Sequence, residues 1–216
     1  RLMIEFLKEN KKEYQSSKIK FYFKEKKQGL AENEIIKIVH KYDALICGDD
    51  EITDRVIDKA KNLKVISKWG TGLDSINVSY ARKKGIKVFN TPNAFTKGVA
   101  QLALSFILNF SRHTLETHQS IKKGNWPKIP GFLIKEKIIG IIGFGNIGRE
   151  ISKLVLKLGM KVIYNDIKKI NYFNNKNIYK SNLKELLKKS DIVILCCDLN
   201  STSLNLINNS KMKLMK

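Results

Sequence analysis

The chain has 216 residues, 43% of them hydrophobic, which is enough apolar material for one large or two small cores and excludes a disordered tail or linker. Lys and Arg total 41 against 20 Asp and Glu, a formal charge of +21, but only Arg1, Arg55, Arg82, Arg112 and Arg149 carry guanidinium groups. Nucleic-acid recognition favours the arginine fork, and here the lysines are dispersed without interleaved aromatics, so the charge reads as a solvated surface and no nucleic-acid partner is expected. The three cysteines, Cys47, Cys196 and Cys197, are too few for a disulfide framework. They lie in apolar runs that predict reduced, buried thiols. The best apolar stretch, residues 102–110, is far shorter than the ~20 residues a membrane span needs and contains Ser105 and Asn109. A cytoplasmic protein without a membrane partner is expected. The sequence opens on Arg1 and looks helical from Leu2.

In chain order, short β-branched or aromatic runs alternate with helical periodicity, which predicts α/β architecture with parallel sheets. The first series places strands at residues 19–23, 44–47, 65–67 and 88–90. Between them lie amphipathic segments carrying Ile35, Ile36 and Val39, then Ile52, Val56, Ile57, Ala60 and Leu63. A long helix follows, with Thr96 as its expected N-cap and Val99, Leu102, Ala103, Phe106, Ile107 and Phe110 at three- and four-residue spacing, and it is expected to link two domains. Residues 124–131, with Pro127 and Pro130, break the pattern. The second series predicts a strand at 138–142, a helix at 147–158, a strand at 162–164, a helix at 183–189 started by an Asn182/Glu185 capping box, and a strand at 192–196. The Asn- and Lys-rich stretch 168–177 is expected to be a surface loop. These series define two doubly wound domains, 1–95 (flavodoxin-like, its first strand expected before Leu2) and 96–216 (a Rossmann domain, expected to lack its last strands).

Residues 138–149 read I-I-G-I-I-G-F-G-N-I-G-R, so Gly143, Gly145 and Gly148 fit G-x-G-x-x-G. That pattern alone is weak. Here an apolar strand precedes it, an amphipathic helix follows, and Asp166 ends the next strand about 20 residues on, the spacing a dinucleotide site needs. Gly143 would make the tight turn, Gly145 would let the backbone approach a diphosphate, and Gly148 would allow close helix–sheet packing. Asn146 and Ile147 open a helix whose N–H groups face the anion. Asp166 would accept from ribose hydroxyls and repel a 2′-phosphate, which favours NAD over NADP, a preference that Lys168 and Lys169 soften.

With that turn placed, K-V-I-S-K-W-G-T-G-L-D at 64–74, G-I-K-V-F-N-T-P at 85–92, G-N-W at 124–126 and S-D-I-V-I-L-C-C-D-L-N-S-T-S at 190–203 together resemble the D-isomer-specific 2-hydroxyacid dehydrogenases, the family of phosphoglycerate dehydrogenase. The resemblance implies an oxidoreductase passing hydride between NAD and a small 2-hydroxy or 2-oxo acid, a homodimer, and substrate bound between two domains. It assigns Lys68, Gly70, Thr71 and Gly72 to the substrate, Thr71 also to the nicotinamide end of the cofactor, and the Cys197 backbone to NAD. Gly70 and Gly72 suit a loop that offers N–H groups to a carboxylate, and a solvated Lys68 is the alternative to a substrate contact. Asn93 stands where the family commonly has glycine, which requires a left-handed backbone that asparagine tolerates. Lys97 and Gln101 replace residues often acidic, Cys196 one often histidine, and Ser201 one often proline.

Oxidation of a 2-hydroxy acid needs a base for the hydroxyl proton and a cation for the carboxylate and carbonyl. The family's arginine, glutamate and histidine fall after the L-M-K at 214–216, so no catalytic residue is assigned in this chain and it is expected to be a fragment that is itself inactive. His40 and His113 lie in helical patterns and are read as structural or surface groups. The second reading is a non-catalytic NAD-responsive regulator of the same fold.

Overall fold

The computed structural model describes residues 2–10, 13, 19–24, 29–170 and 176–216. It separates into two compact units, Arg1–Ala94 and Phe95–Lys216.

The first unit begins with helix α1 (Leu2–Glu9), which buries Ile4 and Leu7. Then come α2 (Glu32–Ile36), a 3-10 turn (Val39–Lys41), β1 (Ala44–Cys47), α3 (Asp54–Lys59), β2 (Val65–Lys68), α4 (Val78–Lys83) and β3 (Lys87–Phe89). The three strands are parallel in the order β1-β2-β3. Side chains cap the short helices: the Val56 N–H donates to Thr53 Oγ1 (3.4 Å) and the Tyr80 N–H to Asn77 Oδ1 (3.1 Å). Ile35, Val39, Ile52, Val56, Ile57, Ile66 and Ile86 form the core beneath these helices. Full burial of each such side chain is worth ~1.5–3 kcal/mol, so this set outweighs the weak propensity of five- and six-residue helices.

The strand predicted at residues 19–23 is absent: 19–24 have no regular structure. Ile19 and Tyr22 stand in solvent, Phe21 stacks on Phe23, and Tyr22 packs against Tyr42. The composition favours extended backbone, but no neighbouring strand takes up its hydrogen bonds among the described residues, and a strand is stable only as part of a ladder.

In the second unit α5 (Thr96–Arg112) leads into α6 (Thr114–Lys122) through His113, whose backbone is left-handed (φ 52°). Thr96 is the first helical residue, and the N-cap is Phe95, without a capping side-chain bond. Next come β4 (Ile138–Ile142), α7 (Asn146–Lys157), β5 (Lys161–Asn165), β6 (Ile178–Lys180), α8 (Leu183–Lys189), β7 (Ile192–Leu195) and the single turn α9 (Asn209–Met212). Asn182 caps α8 as its spacing predicts, accepting the Glu185 N–H at 2.9 Å. Residues 168–170 and 176–177 lie outside any strand, in keeping with a loop, whereas 171–175 of that segment lie outside the described residues.

The parallel sheet runs β6-β5-β4-β7. Its two faces are buried on different partners. Ile139, Ile141, Val162 and Tyr164 pack with Phe144, Ile151 and Val155 under α5 and α7, while Ile142 and Ile163 pack with Leu186 and Leu187 of α8. Burial on both faces is why β4 reads as an unbroken apolar run. The chain adds β5 and β6 on one side of β4, then returns to place β7 on the other. That reversal opens a crevice at the carboxyl end of β4, where open α/β sheets bind their ligands.

Candidate functional site

Gly143 follows β4 at that reversal with φ +89°, a left-handed conformation. A Cβ there would lie 2.5 Å from the Cys197 nitrogen, so glycine is required both by the turn and by the closeness of the segment after β7. The Gly143 N–H donates to Asn165 O (2.8 Å) and the Cys196 N–H to Ile142 O (2.7 Å), which fixes the turn between the ends of β5 and β7. At Gly145 an added Cβ would meet nothing within 4 Å, so the space beside the N-cap of α7 is open. At Gly148 it would lie 2.4 Å from Gly143 O and 3.0 Å from Ile141 Cγ2, which is the contact that lets α7 seat on the strand. The three glycines therefore differ: Gly143 makes a left-handed turn with no room for a side chain, Gly148 closes a helix–strand contact, and Gly145 faces open space.

Gly145, the N-cap of α7, makes no side-chain cap bond, and the half-buried Arg149 lies on the helix's first turn, with its guanidinium donating to Asn146 Oδ1 (2.6 Å) and Gly145 O (3.2 Å). The helix dipole and this cation both favour an anion at the turn. Asp166 directly follows β5, half-buried. Its Oδ2 accepts the Phe144 N–H (2.7 Å) and its Oδ1 the Lys168 N–H (2.8 Å). Phe144, which sequence reasoning passed over, is fully buried and stacked on Tyr164 with ring centroids 4.1 Å apart. Its only signal in the sequence is an aromatic residue between two glycines.

In the first unit the glycine loop leaves the end of β2. Lys68 does not extend into solvent: its side chain is 5% exposed, and its ammonium donates to Gly48 O, to Asp49 Oδ1 (2.9 Å) and to Ser75 Oγ (3.3 Å). The solvated-lysine alternative is thus corrected, because three acceptors compensate the cost of burying the charge and take up the three ammonium donors. Thr71 and Gly72 are exposed, and Gly70 is half-buried. The loop is held from the end of β3, where Asn90 Nδ2 donates to Thr71 O (2.8 Å) and the Thr91 N–H to Gly70 O (2.9 Å). Asn90 is a second residue that sequence reasoning missed, although it lies within the G-I-K-V-F-N-T-P segment. Asn93 is left-handed, with φ 67°, as its glycine-like position requires.

The cysteines differ from one another. Burial, reinforced by Asp50, pushes the Cys47 thiol up to about 11, and burial also lifts Cys196 to about 11. Cys197 is exposed, which corrects the expectation that all three thiols are buried: it lies beyond the last residue of β7, outside the apolar ladder. His40 sits exposed in the 3-10 turn, and His113 Nδ1 lies 3.2 Å from Glu116.

A glycine turn at the switch point of a parallel sheet, an uncapped helix behind it and a carboxylate at the end of the next strand define a dinucleotide-binding α/β protein. Residues 104–216 match the model of the NAD-binding domain of D-isomer-specific 2-hydroxyacid dehydrogenases, and the chain belongs to that family. It is 37% identical over 190 residues to a hydroxypyruvate reductase of Thermotoga maritima, covering 87% of this chain and 61% of the relative. It is 32% identical over 194 residues to a D-3-phosphoglycerate dehydrogenase of Sus scrofa, covering 88% of this chain and 36% of the relative. The crystal structure of a D-lactate dehydrogenase from Aquifex aeolicus, complexed with NAD and lactic acid, superposes with a TM-score of 0.80 at 27% identity, covering 86% of this chain and 57% of that one. The chain thus spans about 60% of the length of the hydroxypyruvate reductase.

Proposed function

We propose that this protein takes part in hydride transfer between NAD and a small D-2-hydroxy or 2-oxo acid. The observation that carries the reading is the turn at 143–148 at the sheet's switch point, in which Gly143 and Gly148 leave no room for a side chain while the space beside Gly145 is open. Gly143, Gly145, Asn146, Ile147 and Gly148 would present backbone to the cofactor diphosphate, Asp166 would meet the adenosine ribose, and the Cys197 backbone would border the same crevice. NAD supplies the hydride acceptor, and the chain's own residues bind and orient it. In the first unit the backbone of Gly70, Thr71 and Gly72 would receive the acid's carboxylate, and Lys68, its ammonium held by Asp49 and Ser75, is the adjoining cation that would meet the acid.

A homodimer is part of this reading. Val99, Leu102, Phe106 and Phe110 line α5 and are exposed, Phe106 to 62%, while Ala100 and Ile107 of the same helix are buried. An apolar stripe of that size on one helix suits a second copy of itself. Placement in the cytoplasm is supported by the cysteines, all three of which are free. No described helix is long and apolar enough to cross a membrane.

The test is an NADH fluorescence titration of the protein and of Gly145→Ala, with glyoxylate and hydroxypyruvate as second ligands. Saturable NADH binding that the variant weakens, with the acids perturbing the first unit's glycine loop by NMR, supports the reading. No saturable binding would overturn it.

A further inference from the structure

Resting on the cofactor site proposed above, we infer that Asp166 is a positioning residue for the diphosphate turn as well as a ribose ligand, so that the two ends of the adenosine diphosphate site are coupled through one carboxylate. Both of its oxygens are engaged with backbone: Oδ2 accepts the N–H of Phe144, the residue between Gly143 and Gly145, and Oδ1 accepts that of Lys168. A carboxylate that served the ribose alone would leave the peptide nitrogen of Phe144 to be satisfied elsewhere, and a half-buried charge gains most from such N–H donors.

The rest of the turn converges on the same strand end. Gly143 N–H reaches Asn165 O (2.8 Å), the Phe144 ring lies on Tyr164, and Gly143 is backed by the Cys196–Cys197 peptide. Arg149 holds the Gly145 carbonyl at the helix side of the turn, and Asp166 is the charged contact on the N–H of the Gly143–Phe144 peptide, whose orientation it fixes. Losing it frees that peptide to rotate, and the N–H groups that should meet a diphosphate lose their common direction. A carboxylate already held by Phe144 and Lys168 is also held in place to meet ribose hydroxyls without further ordering, which lowers the entropic cost of binding.

The test uses inorganic pyrophosphate, which has no ribose, beside NADH. In the brace account Asp166→Ala weakens both ligands, each by about tenfold for a lost charge-assisted bond. Asp166→Asn, which keeps one acceptor oxygen, recovers part of the pyrophosphate affinity. A ribose-only role predicts unchanged pyrophosphate affinity with weakened NADH, and that outcome overturns the inference. Amide hydrogen exchange gives a second readout independent of any ligand. In the unsubstituted protein the Phe144 and Lys168 amides are protected, and in folded Asp166→Asn at least one of them exchanges about tenfold faster. If Asp166→Ala does not fold, these two amides decide, since exchange at unprotected rates in the unsubstituted protein contradicts the brace. Failure of both ligands to bind while the amides stay protected would remove the cofactor reading and leave the brace intact.

Discussion

Replacing Gly148 with alanine sets two opposing effects against each other. An alanine in the first turns of α7 gains up to ~1 kcal/mol of helix propensity over glycine. Its Cβ, however, would stand 2.4 Å from Gly143 O and 3.0 Å from Ile141 Cγ2. The carbonyl contact is roughly 0.9 Å closer than ordinary van der Waals separation. The Gly143 carbonyl has little room to retreat, because the same residue's N–H is bonded to Asn165 O and its Cα faces the Cys196–Cys197 peptide. Overpacking costs ~1–3 kcal/mol, and a 2.4 Å contact with a backbone oxygen places this site in the upper half of that range, so about 1–2 kcal/mol is lost once propensity is subtracted. Urea unfolding followed by far-UV circular dichroism measures it. Gly145→Ala is the comparison without a clash, since its Cβ meets nothing within 4 Å and it should lose only glycine's N-cap preference over alanine, roughly 0.5–1 kcal/mol. A Gly148→Ala protein as stable as the unsubstituted one, or more stable, would show that propensity outweighs the clash and refute the close-packing argument.

Three further outcomes are expected. Burial, the largest single influence on Asp191, pushes its carboxyl up, but the Ile138 N–H and the Lys216 ammonium together hold it below the ordinary range. Its stabilisation is therefore present above the unfolded carboxyl's value near ~3.9 and is lost as pH falls through the lower folded value. Asp191→Asn should cost about 1 kcal/mol at neutral pH in a denaturant titration, and the difference from the unsubstituted protein should vanish in strong acid. For the thiols, Cys47 and Cys196 at about 11 leave only about one part in a thousand as thiolate near pH 8, so iodoacetamide should label exposed Cys197 first in a mass-spectrometric time course, and equal rates at all three would contradict the burial argument. Phe106→Glu should shift light-scattering mass from dimer to monomer without loss of circular dichroism signal, because Phe106 is exposed on α5 and outside the core. An unchanged mass would remove α5 from the interface.

The sequence was most legible where one local rule and one packing demand agreed. The strand β4 and the tight positions Gly143 and Gly148 were legible because burial on both faces requires an apolar run and neither glycine has room for a side chain, whereas nothing in the packing around Gly145 demands glycine. Asn182 read correctly because capping is a local bond. The aromatic residues at 19–23 misled, since β propensity does not provide a partner strand. Strand β6 was hidden behind the Asn- and Lys-rich stretch before it and is defined by its pairing with Val162, Ile163 and Tyr164, which no local pattern announces. Thr96 has the chemistry of an N-cap but lies one residue inside the helix. Lys68 shows the limit most clearly: a lysine beside a glycine loop looks exposed in sequence, and only the positions of Gly48, Asp49 and Ser75, brought in from two other loops, explain its burial. The same holds for Asp166, whose spacing suggests the ribose while its bond to Phe144 is visible only in three dimensions.

The central claim is that a dinucleotide lies across the carboxyl end of β4 on the turn at 143–148. Amide chemical-shift mapping of the isotopically labelled protein during an NADH titration addresses it directly. The account predicts saturable shifts concentrated at Gly143 to Gly148, Asp166 to Lys168 and Cys197. Saturable shifts centred anywhere else in the second unit, or none at cofactor excess, would contradict it.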